Sequence, residues 1–259
     1  MRLIRSLAIA FSMYSKIPVP NVKWEEADMK YVMAFFPFVG VIIGAAEYLV
    51  FILAEMLGLD HLFTAAIVVC IPLVLTGGIH MDGFMDMSDA VSSYRSREER
   101  LMILKDPHIG AFAVIKGIVI VLLYFGAACD IVSSGREDIF GVLCVSFMVS
   151  RIGSALAAVC CRSAKNEGTL YSFVKASDKG IVLAMLSVEA VAAVISAARI
   201  SFAVGLIVLP VMAVSYPVCI FLAYRRLGGL TGDAAGWMLC IAECSAVFSA
   251  AMAGHLLHL

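Results

Sequence analysis

The chain has 259 residues, of which 62% are hydrophobic and only 15% are charged. Soluble domains are about 45 to 50% apolar and about 25% charged, so this composition indicates an integral membrane protein. The formal net charge of -1 argues against nucleic acid as a partner, because nucleic-acid binding needs a basic face. The eight cysteines form no CxxC pair and lie in or beside apolar segments, so we expect them to pack as small hydrophobes.

The N-terminal segment MRLIRSLAIAFSMYSKIPVP has no small-residue cleavage site, so no cleavable signal peptide is expected. We interpret residues 3–15 as an interfacial or re-entrant helix. Beyond them, the chain is predicted to be an all-α, polytopic membrane helix bundle that forms one domain over residues 1–259. About seven stretches approach the roughly 20 apolar residues that a bilayer requires, and they cover residues 33–57, 61–79, 110–132, 139–161, 180–198, 201–224 and 235–257.

The loop cations predict the orientation, because Lys and Arg concentrate in cytoplasmic loops. Basic residues gather in the N-terminal segment and after the second, fourth and sixth predicted spans, whereas the intervening loops carry few. We therefore expect a multi-pass protein of the cell (inner, cytoplasmic) membrane. Its N-terminus and its polar loops are predicted to be cytoplasmic.

Three aspartates follow the second apolar stretch, in GGIHMDGFMDMSDA at residues 77–90. If residues 82–89 are helical, the rotation of about 100 degrees per residue places Asp82, Asp86 and Asp89 on one narrow face. Like charges this close repel each other, and a divalent cation removes the repulsion. Oxygen ligands without cysteine favour Mg²⁺ or Mn²⁺, which share substrate phosphate and water with one or two carboxylates. The cluster predicts metal-assisted phosphoryl transfer, with solvation of a helix end as the alternative.

Two further polar stretches fall on the same predicted side of the membrane. KDPHIGAFAV, residues 105–114, contains Asp106 and His108 just before the third span. GGLTGDAAG, residues 228–236, precedes the last helix, whose N-terminal amides are suited to a phosphate. Asp233 in this stretch is either a site residue or the N-cap of that helix.

Other polar positions leave alternatives open. Gly77 and Gly78 are expected to mark a helix terminus whatever the function. His80 lies on the helical face opposite the aspartates and is either a polar anchor or a catalytic group. Charges inside apolar segments are costly in lipid and are candidates for function by default; these are Glu47, Lys116, Arg151, Glu189 and Glu243.

Taken together, these stretches resemble the adenosylcobinamide-GDP ribazoletransferase family, also called cobalamin synthases, which are membrane enzymes of late cobalamin assembly. The resemblance rests on the order and spacing of six segments along nearly the whole chain. They are KIPVP at 16–20, FFPFVGVIIG at 35–44, GGIHMDGFMDMSDA at 77–90, DPHIGAF at 106–112, Arg151 with CRSAKNEG at 161–168, and GGLTGDAAG at 228–236. Ala90 and Ala113 depart from the glycines usual in the family.

The resemblance implies a Mg²⁺-dependent transfer of the adenosylcobinamide phosphate moiety of adenosylcobinamide-GDP to α-ribazole or α-ribazole 5'-phosphate, with release of GMP. Attack is expected from the 5' hydroxyl of α-ribazole or from its 5'-phosphate form. The implied principal metal ligands are Asp82 and Asp86, with Asp89 either as a further ligand or as a support behind the ligands, and with Asp233 as a partner from the last polar loop. The implied catalytic residues are Asp82, Asp86, Asp233 and His80, and either a carboxylate or His80 is the candidate general base. The candidates for substrate binding are Arg95, Arg100, Lys105, Asp106, His108, Arg151, Arg162, Lys165, Gly229, Thr231 and Gly232.

Two other functions fit parts of the sequence. A CDP-alcohol phosphotransferase also sets aspartates around a metal, but residues 82–90 lack the alanine and arginine of its usual signature. A secondary transporter would use the charges inside the spans as a relay. The expected partners are the two substrates and the lipid bilayer, while contacts with other cobalamin-assembly enzymes and homo-oligomer formation are left open.

Overall fold

A computed structural model describes residues 2–20, 23–165 and 167–257, and the regular elements in this part of the chain are all helices, which confirms the all-α prediction. A short 3-10 helix at Glu26–Asp28 follows the first helix. In chain order the α-helices are α1 (Arg2–Tyr14), α2 (Val32–Leu57), α3 (His61–Thr76), α4 (Ile79–Ser92), α5 (Arg97–Ile103), α6 (Ala111–Ser133), α7 (Glu137–Cys160), α8 (Thr169–Ala176), α9 (Lys179–Leu227) and α10 (Gly232–Leu256).

Five of these helices, α2, α6, α7, α9 and α10, are long and apolar enough to cross a membrane. The pair α3 and α4 passes the same test together but is bent by 92°. The stretch predicted as a span over 61–79 corresponds to α3, which ends at Thr76, and α4 continues beyond it from Ile79. The predicted spans 180–198 and 201–224 both lie within α9, which consists of two helices joined at a kink where the backbone of Ser201 leaves helical geometry. The polytopic helix bundle is confirmed, and the number of crossings stays a prediction.

Helices α7 and α10 lie at the centre of the bundle, where α7 packs on α2, α9 and α10, and α10 packs on α4, α6 and α9. Small residues permit the close α2 to α7 contact. A Cβ on Gly40 would overlap the carbonyl of Phe147, and one on Gly44 would overlap the carbonyl of Cys144. Gly40 and Gly44 therefore let the backbones of α2 and α7 approach closely.

Capping residues set where several helices begin. Asp60 accepts hydrogen bonds from the backbone N–H groups of Leu62 and Phe63 and so starts α3. Ser96 and Glu99 form a capping box at the start of α5.

Candidate active site

A sharp bend between α3 and α4 turns the aspartate-bearing helix out of line with the preceding span. Gly77 ends α3 with a φ of 63°, and Gly78 starts α4 with a φ of 77°, a backbone region that favours glycine. The predicted helix terminus at these glycines is confirmed. The backbone N–H of Lys16 donates to the carbonyl of Leu75 at 2.7 Å, which ties the end of the N-terminal helical segment to this bend.

The aspartate cluster lies on a helix as predicted, because α4 includes all of residues 82–89. Asp82 is exposed, whereas Asp86 and Asp89 are half-buried. The two carboxylate oxygens of Asp89 accept hydrogen bonds from the N–H groups of Gly110 at 2.7 Å and Ala113 at 2.8 Å. Asp89 therefore caps the first turn of α6, and its placement favours a supporting role over direct metal binding.

Close packing of α4 on α10 brings Asp233 to the same place. A Cβ added to Gly83 would lie 3.0 Å from both the Cα and the carbonyl oxygen of Asp233, so a larger residue would press α4 and α10 apart. The charge of Asp86 interacts with Asp82 most strongly, then with Asp233 and Asp89. The tertiary fold thus gathers carboxylates that are about 150 residues apart in sequence.

The N-cap of α10 is Thr231, whose hydroxyl accepts a hydrogen bond from the N–H of Ala234 at 3.1 Å. The interpretation of Asp233 as that N-cap is therefore wrong. Asp233 stands in the first turn of the helix, where its negative charge is favourable next to the helix N-terminus.

The glycine-rich loop before α10 is held against the segment after α7. The N–H of Leu230 donates to the carbonyl of Arg162 at 2.9 Å, and the N–H of Ala164 donates to the carbonyl of Leu230 at 2.8 Å. A Cβ on Gly229 would overlap the backbone of Arg162 and Ser163, so Gly229 supports this pairing. Two polar stretches that are separate in sequence form one wall of the site.

A cleft of about 840 Å³ opens beside these carboxylates. Its walls come from α1, α2, α4, α8, the start of α10 and the loop that contains Arg162. The predicted site residues that line it are His80, Asp82, Lys105, Arg162, Lys165, Thr231, Gly232 and Asp233. A cleft of this size, lined by acids and by cations, is suited to binding phosphate-containing molecules.

Charges in the cleft interact directly. Lys105 Nζ lies 2.6 Å from Glu167 Oε1, and this hydrogen bond lowers the pKa of Glu167. Partial burial lowers the pKa of Lys165, while the nearby carboxylate of Asp233 opposes the shift. Lys165 and Asp233 are therefore close enough for the ammonium group to offset the negative charge of the acid.

Several predicted substrate-binding residues are absent from the residues that line the cleft. Arg100 donates to the carbonyls of Ser93 at 3.2 Å and Arg226 at 3.5 Å, which joins α5 to the end of α9. Arg95 lies 4.0 Å from Glu99 at the surface. Asp106 accepts hydrogen bonds from the backbone and ring of His108, at 3.0 and 2.7 Å, and these bonds lower the pKa of the Asp106 carboxyl.

Arg151 is fully buried inside the bundle and forms an ion pair with Glu243. The hydroxyl of Ser150 also donates to Glu243, at 3.1 Å. The structure therefore joins two of the charges found in apolar segments, and it separates Arg151 from the cleft that holds Asp82 and Asp233.

Several residues of the cleft were not predicted from the sequence, among them Tyr14, Tyr171, Lys175 and Lys179. Lys175 and Lys179 belong to the basic residues after the fourth predicted span, which indicated only the orientation. Tyr14 packs its ring 4.2 Å from that of Phe36, which places the N-terminal helix in the wall of the cleft. The sequence feature that could have identified Tyr14 as a cleft residue is its position just before the KIPVP segment.

The four acids predicted as metal ligands are not arranged as one metal-binding group. Among the described residues, no group of three or more His, Cys, Asp or Glu side chains is arranged to hold a metal. Mg²⁺ usually takes only one or two protein carboxylates and completes its shell with water and substrate phosphate. The exposed carboxylate of Asp82, with Asp233 across the α4 to α10 contact, meets that requirement.

Comparison with known proteins relates the whole chain to one family. Residues 6–251 match the family model described as cobalamin-5-phosphate synthase (CobS). The adenosylcobinamide-GDP ribazoletransferase of Lachnoclostridium phytofermentans is 42% identical over 249 residues, which are 95% of this chain and 93% of that protein. The protein of the same name from Clostridium botulinum strain Alaska E43 is 32% identical over 254 residues, 96% of this chain and 98% of its own length.

A more distant relative with that name, from Listeria monocytogenes, is 29% identical over 236 residues, 90% of this chain and 92% of its own length. No solved structure matches the chain. The chain therefore belongs to the cobalamin-5-phosphate synthase family.

Proposed function

We propose that this chain transfers the adenosylcobinamide phosphate moiety of adenosylcobinamide-GDP to α-ribazole or α-ribazole 5'-phosphate, and that the reaction takes place in the cleft beside Asp82. Its family and its relatives' names support an enzyme that completes cobalamin synthesis by group transfer. The observation that carries the placement is the contact of Gly83 with Asp233, which sets carboxylates of α4 and α10 beside one cleft that also holds Arg162 and Lys165.

The reaction exchanges one phosphorus–oxygen bond for another. A ribose hydroxyl oxygen attacks the phosphorus that bears cobinamide, the bond from that phosphorus to the bridging oxygen breaks, and GMP leaves with the bonding electron pair. The hydroxyl proton is released. The 5' oxygen of α-ribazole 5'-phosphate is already esterified, so the expectation of 5' attack fails for this substrate, and a hydroxyl that serves both substrates must be a different one.

We propose Mg²⁺ as the cofactor, held by Asp82 with Asp86 and Asp233 near it. When bound, the ion would neutralise charge on the pyrophosphate. The exposed carboxylate of Asp82 presents oxygen atoms to the cleft. Asp89 fixes the end of α4 against α6 through the amides of Gly110 and Ala113.

Cationic side chains in the cleft would bind and orient the phosphates. The side chain of Arg162 donates to the carbonyl of Gly228 at 3.1 Å, so it is held next to the glycine-rich loop. Lys165 stands near Asp233. Because these groups are placed before substrate binds, they can stabilise developing phosphate charge without first reorganising.

The alternatives of a CDP-alcohol phosphotransferase and a secondary transporter are not supported, because the family match covers residues 6–251. The proposed location is the cell membrane, with the cleft on the cytoplasmic side as the loop cations predict. Contacts with soluble enzymes of cobalamin assembly at that surface are a hypothesis from topology. Failure to co-purify with them under gentle conditions would count against it.

The proposal is tested by GMP release from purified protein in lipid, given adenosylcobinamide-GDP and α-ribazole. We expect release to need Mg²⁺, to stop with a chelator, and to be lost in Asp82→Asn while the protein stays folded. Asp130→Asn, at the far end of α6 beside His255, serves as a matched control and should keep full activity. Full release from folded Asp82→Asn would move the chemistry away from the α4 acids.

A further inference from the structure

A second, smaller cavity, which is partly open, lies next to the cleft among α3, α4, α6, α7 and α10. It has a volume of about 50 Å³ and largely apolar walls. Its polar lining includes His80, Tyr124, Arg151 and Glu243, which together are called the polar chamber below. His80 lines both this chamber and the cleft, so it connects the two.

Unpartnered polar atoms are concentrated in and beside the polar chamber. Of the eight buried side-chain atoms without a hydrogen-bond partner in the described residues, five belong to this region: Glu47 Oε1 and Oε2, His80 Nε2, Tyr124 Oη and Arg151 Nε. Glu47 is fully buried on α2, in the neighbourhood of Glu243, Arg151 and Tyr124. Buried polar atoms without partners cost about 1 to 3 kcal/mol each, so a small polar ligand would stabilise these side chains.

The size and chemistry of the chamber identify that ligand as water. A volume of about 50 Å³ is too small for a nucleoside or a corrinoid but exceeds the roughly 10 to 15 Å³ that one water needs. A buried water requires two to four polar partners. The hydroxyl of Tyr124, the guanidinium of Arg151 and the ring of His80 supply both donors and acceptors.

Water in the chamber has a consequence for the cleft, because a neutral imidazole has one nitrogen that donates and one that accepts. The partner of one ring nitrogen decides which role the other nitrogen takes. His80 Nε2 is enclosed without a protein partner. We propose that the polar chamber is filled with water and that this water fixes the tautomer and orientation of His80, with Tyr124 and Glu47 as positioning residues. This inference rests on the proposed function of the cleft.

The experiment combines GMP release with ¹⁵N NMR of histidine-labelled protein in lipid, where only five histidines contribute signals. His80→Asn identifies the His80 resonances by their loss. Tyr124→Phe removes one hydroxyl and keeps the shape of the ring. We expect it to change the tautomer populations of His80 and to lower kcat with little change in KM, because His80 lines the cleft.

Glu47 provides an independent pair of variants. Glu47→Leu should change the His80 resonances in the same direction, whereas Glu47→Gln retains hydrogen-bonding atoms and should keep them. Two controls change the same residue types outside the chamber: Tyr48→Phe, whose hydroxyl bonds Glu137, and Glu189→Leu. Neither should alter the His80 signals.

Unchanged His80 resonances and unchanged kcat in both Tyr124→Phe and Glu47→Leu would overturn the positioning role. If the proposed function itself is wrong, wild-type protein will release no GMP. That result is distinguishable from loss of the positioning role, in which wild-type protein is active. A change of His80 resonances in the controls as large as in the chamber variants would also overturn the proposal, since it would trace the effect to general loosening of the bundle.

Discussion

At the scale of single residues, Asp82 and Asp89 have different surroundings although they share one face of α4. Asp82 is exposed in the cleft, while both oxygens of Asp89 are bonded to amides of α6. Helical periodicity placed them together but contained no information on what each carboxylate contacts.

Asp89→Asn should therefore behave unlike Asp82→Asn. The amide offers one acceptor oxygen instead of two, so one N–H of α6 loses its partner and stability should fall by about 1 kcal/mol. We expect a lower thermal midpoint with most of the GMP release retained. Activity as low as that of Asp82→Asn, with an unchanged midpoint, would instead identify Asp89 as a metal ligand.

Lys165 predicts a pH dependence. Burial lowers the pKa of its ammonium group, so its positive charge is lost at a lower pH than that of an ordinary lysine. GMP release should fall on the alkaline side, and Lys165→Arg should move that fall to higher pH because guanidinium stays charged. Lys23→Arg, at an exposed position outside the cleft, should leave the profile unchanged. Identical profiles for wild type and Lys165→Arg would remove Lys165 from phosphate binding.

At the scale of helices, the crossing of α4 and α10 assembles the acid site. Two glycines line this contact: Gly83 faces Asp233, and a Cβ on Gly236 would lie 3.1 Å from the carbonyl oxygen of His80. Close approach of backbones is what lets short aspartate side chains from two helices face one cleft.

Gly83→Ala should separate these helices, because the added carbon would press on the backbone of Asp233, which cannot rotate away. We expect a large loss of GMP release in protein that still inserts and folds. Gly126→Ala is the matched control, since no atom lies within 4 Å of its Cβ position and alanine favours a helix over glycine by about 1 kcal/mol. Activity of Gly83→Ala equal to that of Gly126→Ala would contradict the packing argument.

At the scale of the whole molecule, the ion pair of Arg151 and Glu243 joins the two central helices, α7 and α10. Removing one partner leaves the other charged and buried, which costs about 3 to 5 kcal/mol. Arg151→Met should therefore unfold at a much lower temperature than wild type, and Arg151→Met with Glu243→Leu should recover much of the difference. Additive losses in the double variant, measured by thermal unfolding in lipid, would show that the pair is not coupled.

Composition and periodicity were sufficient to predict the fold class and part of the candidate site. Long apolar stretches can be stable only as helices in a bilayer, so the all-α bundle followed from hydropathy alone. The helical aspartate face over 82–89 and the turn at Gly77 and Gly78 followed from local rules, because each depends on neighbours within a few residues. The family was identifiable from the sequence because the order of its motifs extends along nearly the whole chain.

Long-range packing decided the rest. The acids Asp233 and Asp82 meet because Gly83 admits another backbone, and Arg151 is paired inside the bundle because Glu243 lies on the adjacent helix. The capping role of Asp89 and the place of Tyr14 in the cleft wall likewise depend on helices that are distant in sequence. The sequence alone determined which chemical groups are present and on which helices, whereas only the tertiary structure decided which of them touch, because those contacts are set by packing between segments that carry no local signal for each other.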